Sequence, residues 1–202
     1  MADFARYLPL SQRPDVDESG VSNDWRALTA ERIEGLVARA ASPSPADRAL
    51  LAQLATRLSG TRFGRFARTV GISDYPEAER EEDAEAALAT LREVAAARRR
   101  GAGPHGIAEL VDVVRTEARC HSLGPVPALE PMVAGSVALF ALTRAPLSVR
   151  AAVADRTLVP VDAPWRLGHG PELRTRTADI LDFLLDAGPV PPAVPSPADG
   201  AE

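Results

Sequence analysis

Residues 105–144 read HGIAELVDVVRTEARCHSLGPVPALEPMVAGSVALFALTR, and the reading of this stretch decides the fold. It predicts two helices joined by the turn Ser122-Leu123-Gly124-Pro125. The first carries Ile107, Leu110, Val111, Val114 and Ala118 at helical spacing. His121 falls on that stripe, and Glu117 sits one turn before it at its edge. The second helix, about 126–143, is apolar nearly all round (Val126, Leu129, Met132, Val133, Val137, Leu139, Phe140, Leu142). Such a helix belongs in the middle of a bundle. A carboxylate and an imidazole are therefore expected to turn toward a core, where polar groups are costly unless partnered.

Upstream, the pattern predicts more helices. One over about 23–41 presents Trp25, Leu28, Ile33, Leu36, Val37 and Ala40, and Ser42-Pro43-Ser44-Pro45 ends it. Ser44 then caps the next helix, with Pro45 at its first position and Asp47 three residues on. Leu50, Leu51, Leu54 and Leu58 form its buried stripe. A short helix at 61–70 sets Arg62, Arg65 and Arg68 opposite Phe63 and Phe66; those arginines read as an anion site or, more simply, as a solvated face. A long helix over about 75–100 begins acidic and ends in Arg98-Arg99-Arg100, a polarity that opposes the macrodipole. Gly101-Ala102-Gly103-Pro104 breaks the chain before the central pair. Residues 1–22 lack periodicity and read as an extended arm.

After Arg144-Ala145-Pro146 the period changes. Leu147, Val149, Ala151 and Val153 alternate with other residues, which predicts a half-buried strand. Strands are expected again at Thr157–Val161, Trp165–Leu167 and Glu172–Arg176, with Gly168-His169-Gly170 as a turn. A last helix at 177–187 carries Ile180, Leu181, Leu184 and Leu185. Residues 189–202 are proline-rich with few core formers, the composition of a disordered tail.

The chain has 202 residues, 46% hydrophobic, enough to bury a core without disulfides or metals. All 23 basic residues are arginine, which with the abundant Ala, Gly and Pro points to a GC-rich genome. The net charge of −5 argues against a general nucleic-acid binder. No apolar run is long enough for a membrane span. The polar N-terminus and the single Cys120 fit a reducing, cytoplasmic setting.

The candidate chemistry is Glu117 and His121, an i, i+4 pair of possible metal ligands on one helix face. The plainer reading of the same pair is a Glu–His hydrogen bond inside the bundle. His105 lies about 24 Å away along the helix and cannot join His121 on one metal unless a second copy of the chain, a homo-oligomer, supplies it. Cys120 and His121 point about 100° apart, so they do not form a nucleophile–base pair. Gly168-His169-Gly170 beside Trp165 reads either as a pocket wall or as an ordinary hairpin turn.

The order of parts resembles the actinobacterial mycothiol-dependent maleylpyruvate isomerase family. The resemblance covers about 105–187 and rests on the Glu-x-x-x-His helix, Arg144-Ala145-Pro146-Leu147-Ser148-Val149, Trp165-Arg166-Leu167-Gly168 and Thr177-Ala178-Asp179-Ile180. It implies a DinB-like four-helix bundle that holds a divalent metal such as zinc, a small C-terminal α/β domain, and mycothiol as thiol cofactor. Glu117 and His121 would be metal ligands. Two features depart from the family pattern. Residues 45–71 contain no histidine to serve as the first ligand, and Ser122-Leu123-Gly124 lacks the aspartate that follows the second. The implied metal site is therefore incomplete.

Together these readings predict an α+β protein. A helical bundle over 23–144 is followed by a small antiparallel sheet with one packed helix over 145–188. Two classes of function remain: a metal-assisted, thiol-dependent isomerase or transferase acting on a small molecule, and a non-catalytic helical protein that binds a small-molecule ligand or a protein partner.

Overall fold

The computed structural model describes residues 24–40, 42–59 and 81–185. The expectations for the arm at 1–22, the arginines at 62, 65 and 68 and the tail at 189–202 lie outside the described residues. Helices α1 (Arg26–Arg39), α2 (Pro45–Leu58), α3 (Glu81–Arg99), α4 (Ala108–Arg119) and α5 (Pro131–Arg144) come first. A short helix α6 (Leu147–Val153), strands β1 (Thr157–Pro160), β2 (Leu167–Gly168) and β3 (Glu172–Thr175), and a final helix α7 (Thr177–Leu184) follow. The α+β class and the order of helices, sheet and terminal helix are those that the sequence predicts.

α2 starts as its residues dictate. The Ser44 hydroxyl accepts the Asp47 backbone N–H at 3.2 Å, with Pro45 in the first turn. The reciprocal half of the capping box is replaced, because Ser122 reaches in: its hydroxyl donates to the Asp47 carboxylate and accepts the Ser44 N–H. α5 begins later than the apolar run suggests. Glu130 caps it, accepting from the backbone N–H groups of Met132 and Val133, and Pro131 opens the first turn. Nor is α5 central. Its inner face is Ala134, Val137, Ala138 and Ala141, whereas Met132 is 67% exposed and Leu139 52%. Small inner residues let neighbours approach closely: a Cβ on Gly135 would lie 3.1 Å from the Trp165 ring.

Two expectations about the C-terminal unit are corrected. Residues 147–153 form a helix, not a strand. Apparent alternation there is weaker than the i, i+4 pair Val149 and Val153, which puts the half-buried and the buried valine on one side, while Leu147 is exposed. The sheet is mixed rather than antiparallel, in the order β2-β1-β3. β1 runs antiparallel to β2 and parallel to β3, with Leu158 opposite Leu167 on one side and Leu173 on the other.

The chain reaches β3 by passing under the start of β1. Thr157 donates its backbone N–H to Pro171 O and its hydroxyl to Gly170 O. Gly168 and Gly170 have positive φ, and a Cβ on either would sit 2.4 Å from a backbone oxygen, of Arg156 or Asp155 respectively. Both glycines are thus required by a crossing, and Gly168-His169-Gly170 is not a hairpin turn.

Apolar packing falls into two clusters that share α4. The first joins Ile33 and Leu36 of α1, Leu51, Leu54 and Leu58 of α2, Leu88 and Leu91 of α3, and Val113 of α4. The second joins Leu110, Val111 and Val114 of α4 to α5, Val153, Leu158, Leu173, Ile180 and Leu184. The core of residues 145–185 is therefore continuous with α4 and α5, and the change of core runs along α4 rather than between 144 and 145. Among the described residues, no single helix is long and apolar enough to cross a membrane.

Candidate functional site

Glu117 and His121 are not brought together. Glu117 lies in the last turn of α4 and faces α1, its side chain 1% exposed. Its Oε2 accepts from Arg32 Nε at 3.0 Å and from Arg32 Nη2, and its Oε1 accepts from Arg39 Nη2 at 2.5 Å. Arg32 and Arg39 stand two turns apart on α1, so both reach one carboxylate. Arg32 also donates to Pro127 O at 3.0 Å, which ties the proline segment to α1. Burial pushes the Glu117 carboxyl above its ordinary range, and the two guanidiniums oppose that shift.

α4 ends at Arg119, before the histidine. His121 opens a single 3-10 turn and is exposed. The expectation of a buried His121 on the helical stripe is thereby corrected: Cys120 leaves the helical path, with ψ 74°, and the phase of the stripe is lost there.

This arrangement does not fit the divalent metal that the resemblance implies. Both Glu117 oxygens already accept from guanidiniums, and a cation there would face two positive side chains in a buried setting. Among the described residues, no group of three or more His, Cys, Asp or Glu side chains converges. Cys120 is 1% exposed. Burial, with Asp47 nearby, pushes its thiol up to about 12, so it stays protonated and weakly nucleophilic at neutral pH. His105 and His169 are both exposed.

A second buried pair sits at the other end of α4. Arg98 of α3 meets Glu109 through two parallel hydrogen bonds, Nε–Oε2 at 2.6 Å and Nη2–Oε1 at 2.9 Å, and donates to Ala102 O at 3.1 Å. Gly103 makes this possible, since a Cβ there would overlap the guanidinium. Arg98 is thus more than a macrodipole counter-charge.

Opposite these pairs, between α4, the 126–131 segment and α7, lies a cavity of about 200 Å³. Val114, Ala118, Leu129, Leu181 and Leu185 wall it, and Asp162, Thr177 and Asp182 stand at its mouth. The two carboxylates differ. Asp162 accepts from the Thr177 hydroxyl at 2.6 Å and its N–H at 2.8 Å, and these bonds hold its carboxyl below the usual range. Asp182 is pushed up by burial and by Asp179, against a smaller pull from His121. Neither aspartate was singled out by the sequence reading. One signal was present: Asp182 is the lone charge inside Ile-Leu-Asp-Phe-Leu-Leu.

No protein-family model, curated protein or solved structure matches the chain.

Proposed function

We propose that this protein is a small-molecule binder that uses the cavity between α4, the 126–131 segment and α7. The observation that carries the reading is the pairing of an apolar enclosure with two exposed carboxylates, Asp162 and Asp182, at its edge. An apolar pocket with few polar groups is the usual form of a ligand site. A dry cavity of roughly 150 Å³ accepts one benzene ring, so the space suits a single ring or a short branched chain. Asp162 and Asp182 favour a cationic group at the open end, such as a primary amine. A single buried cysteine supports a reducing compartment for this activity.

The test is a titration followed by NMR, with benzylamine as the probe and benzyl alcohol as its neutral counterpart. Saturable shifts of the Val114 and Leu181 methyl groups are expected with benzylamine, weaker ones with the alcohol, and loss of both on Ala118→Leu, which fills the enclosure. No saturable shift with either probe would sink the reading. Metal analysis of the purified protein tests the other class of function. Stoichiometric zinc that is lost on Glu117→Gln would favour a metal-assisted, mycothiol-using isomerase or transferase.

A further inference from the structure

Four arginines converge on one cleft on a neighbouring face of α4, in a chain whose net charge is −5. The cleft, about 260 Å³, lies between α2, α4 and the ends of α5 and α7. Arg57 comes from α2, Arg115 and Arg119 from α4, and Arg144 from α5, with Asp112 the one carboxylate among the lining residues. Each arginine near a helix end has a local explanation, because Arg57, Arg119 and Arg144 occupy last turns and offset the helix dipole. That explanation accounts for each position separately. It does not account for Arg115, which lies outside the last turn, nor for convergence on a shared space.

The remaining details orient the guanidiniums. Asp112 is buried and accepts from Arg57 at 3.5 Å and from Arg115 at 3.4 Å, holding two cations at the cleft wall. Arg144 lies over the Phe140 ring, 4.6 Å from its centroid, a contact that limits the swing of the guanidinium. Arg119 follows Arg115 by one turn on the same face of α4. Arg119 and Arg144 remain exposed. Guanidinium forks match the oxygens of a tetrahedral oxyanion, and the cleft is large enough for a phosphoryl group with a small substituent.

We propose that this cleft binds the phosphate group of a small soluble phosphate. The cleft adjoins the cavity beside α7, with Leu185 lining both, but its arginines line the cleft alone, so the proposal does not depend on what the cavity holds. The experiment titrates the full chain with inorganic phosphate and, in a second arm, with glycerol phosphate, at ionic strength fixed with sodium chloride. Arginine side-chain NMR signals and calorimetry are the readouts. Saturable binding is expected in at least one arm. Tighter binding of the ester would identify a phosphomonoester as the ligand, and equal or tighter binding of the inorganic ion would identify free phosphate. Arg119→Gln and Arg144→Gln, both at exposed positions, should each weaken binding about tenfold or more with melting temperature unchanged. Signals that move equally with chloride alone, or affinities untouched by both substitutions, would overturn the proposal.

Discussion

α4 meets the two halves of the molecule in different ways. Toward α1, α2 and α3 it presents Glu109, Asp112 and Glu117, each reached by an arginine from a different helix. Val113 is its one residue in the first apolar cluster. Toward α5, the sheet and α7 it presents Leu110, Val111 and Val114. Apolar contacts tolerate small rotations of a helix, because burial is non-directional. Guanidinium–carboxylate pairs do not, because donors and acceptors must meet at fixed atoms. The comparison teaches that on the N-terminal side the rotation and register of α4 are set by charge, and on the C-terminal side by volume.

Removing the charge should have the largest effect. Glu117→Ala strands Arg32 and Arg39 and is expected to cost about 3–5 kcal/mol in urea unfolding, the range for breaking a buried pair from one side. Amide exchange should speed up first in α1 and α2. If β1 and α7 lose protection equally, the two clusters are one cooperative unit and the contrast between them fails.

A smaller effect, confined to the other half, is expected from Gly168→Ala. The added Cβ would meet Arg156 O at 2.4 Å in a residue with φ of +97°, and strain of this kind costs about 1–3 kcal/mol. Loss of protection in β1 and β3 with α1 unaffected would sharpen the comparison. Equal loss in α1 would count against it.

Cys120 gives the mildest probe, since it is buried just past the end of α4 and needs no substitution. Its thiol ionises only at about 12, so native labelling by a disulfide reagent should not accelerate between pH 7 and 9, where an open thiol would. The folded pKa is raised, so the thiol's contribution to stability is intact below about 9 and declines as pH rises toward 12. Fast native labelling at pH 9 would show that the end of α4 opens by itself.

Much of this architecture was legible in the residues. The start of α2 follows from Ser44, Pro45 and Asp47, and α7 from its Ile and Leu spacing, because both are local patterns. The partners of Glu117 were not legible in practice, although Arg32 and Arg39 flank Leu36 on α1. Pairing at a separation of 85 residues leaves no local trace, and the histidine four residues on offered a nearer partner. Residues 147–153 misled for a related reason: seven residues are too few to separate a period of two from one of 3.6 when alanines fill the gaps. The crossing at Gly168 and Gly170 was seen only as a turn, since glycine marks positive φ without saying which strand passes overhead. The cavity mouth joins residues from separate elements, and only Asp182 stood out against its neighbours.

Among the described residues, the small sheet leaves both outer strands without a neighbour, and an open strand edge is where one folded chain can recruit another. Here that route is poorly provided. β2 is two residues long, too short to template a partner. β3 carries Glu172 and Arg174, and Glu172 is engaged by Arg166 at 2.8 Å and Arg174 at 3.3 Å. An incoming strand would have to settle against a charged flank for four residues of pairing at most. The open sheet therefore carries its own protection against edge-to-edge aggregation.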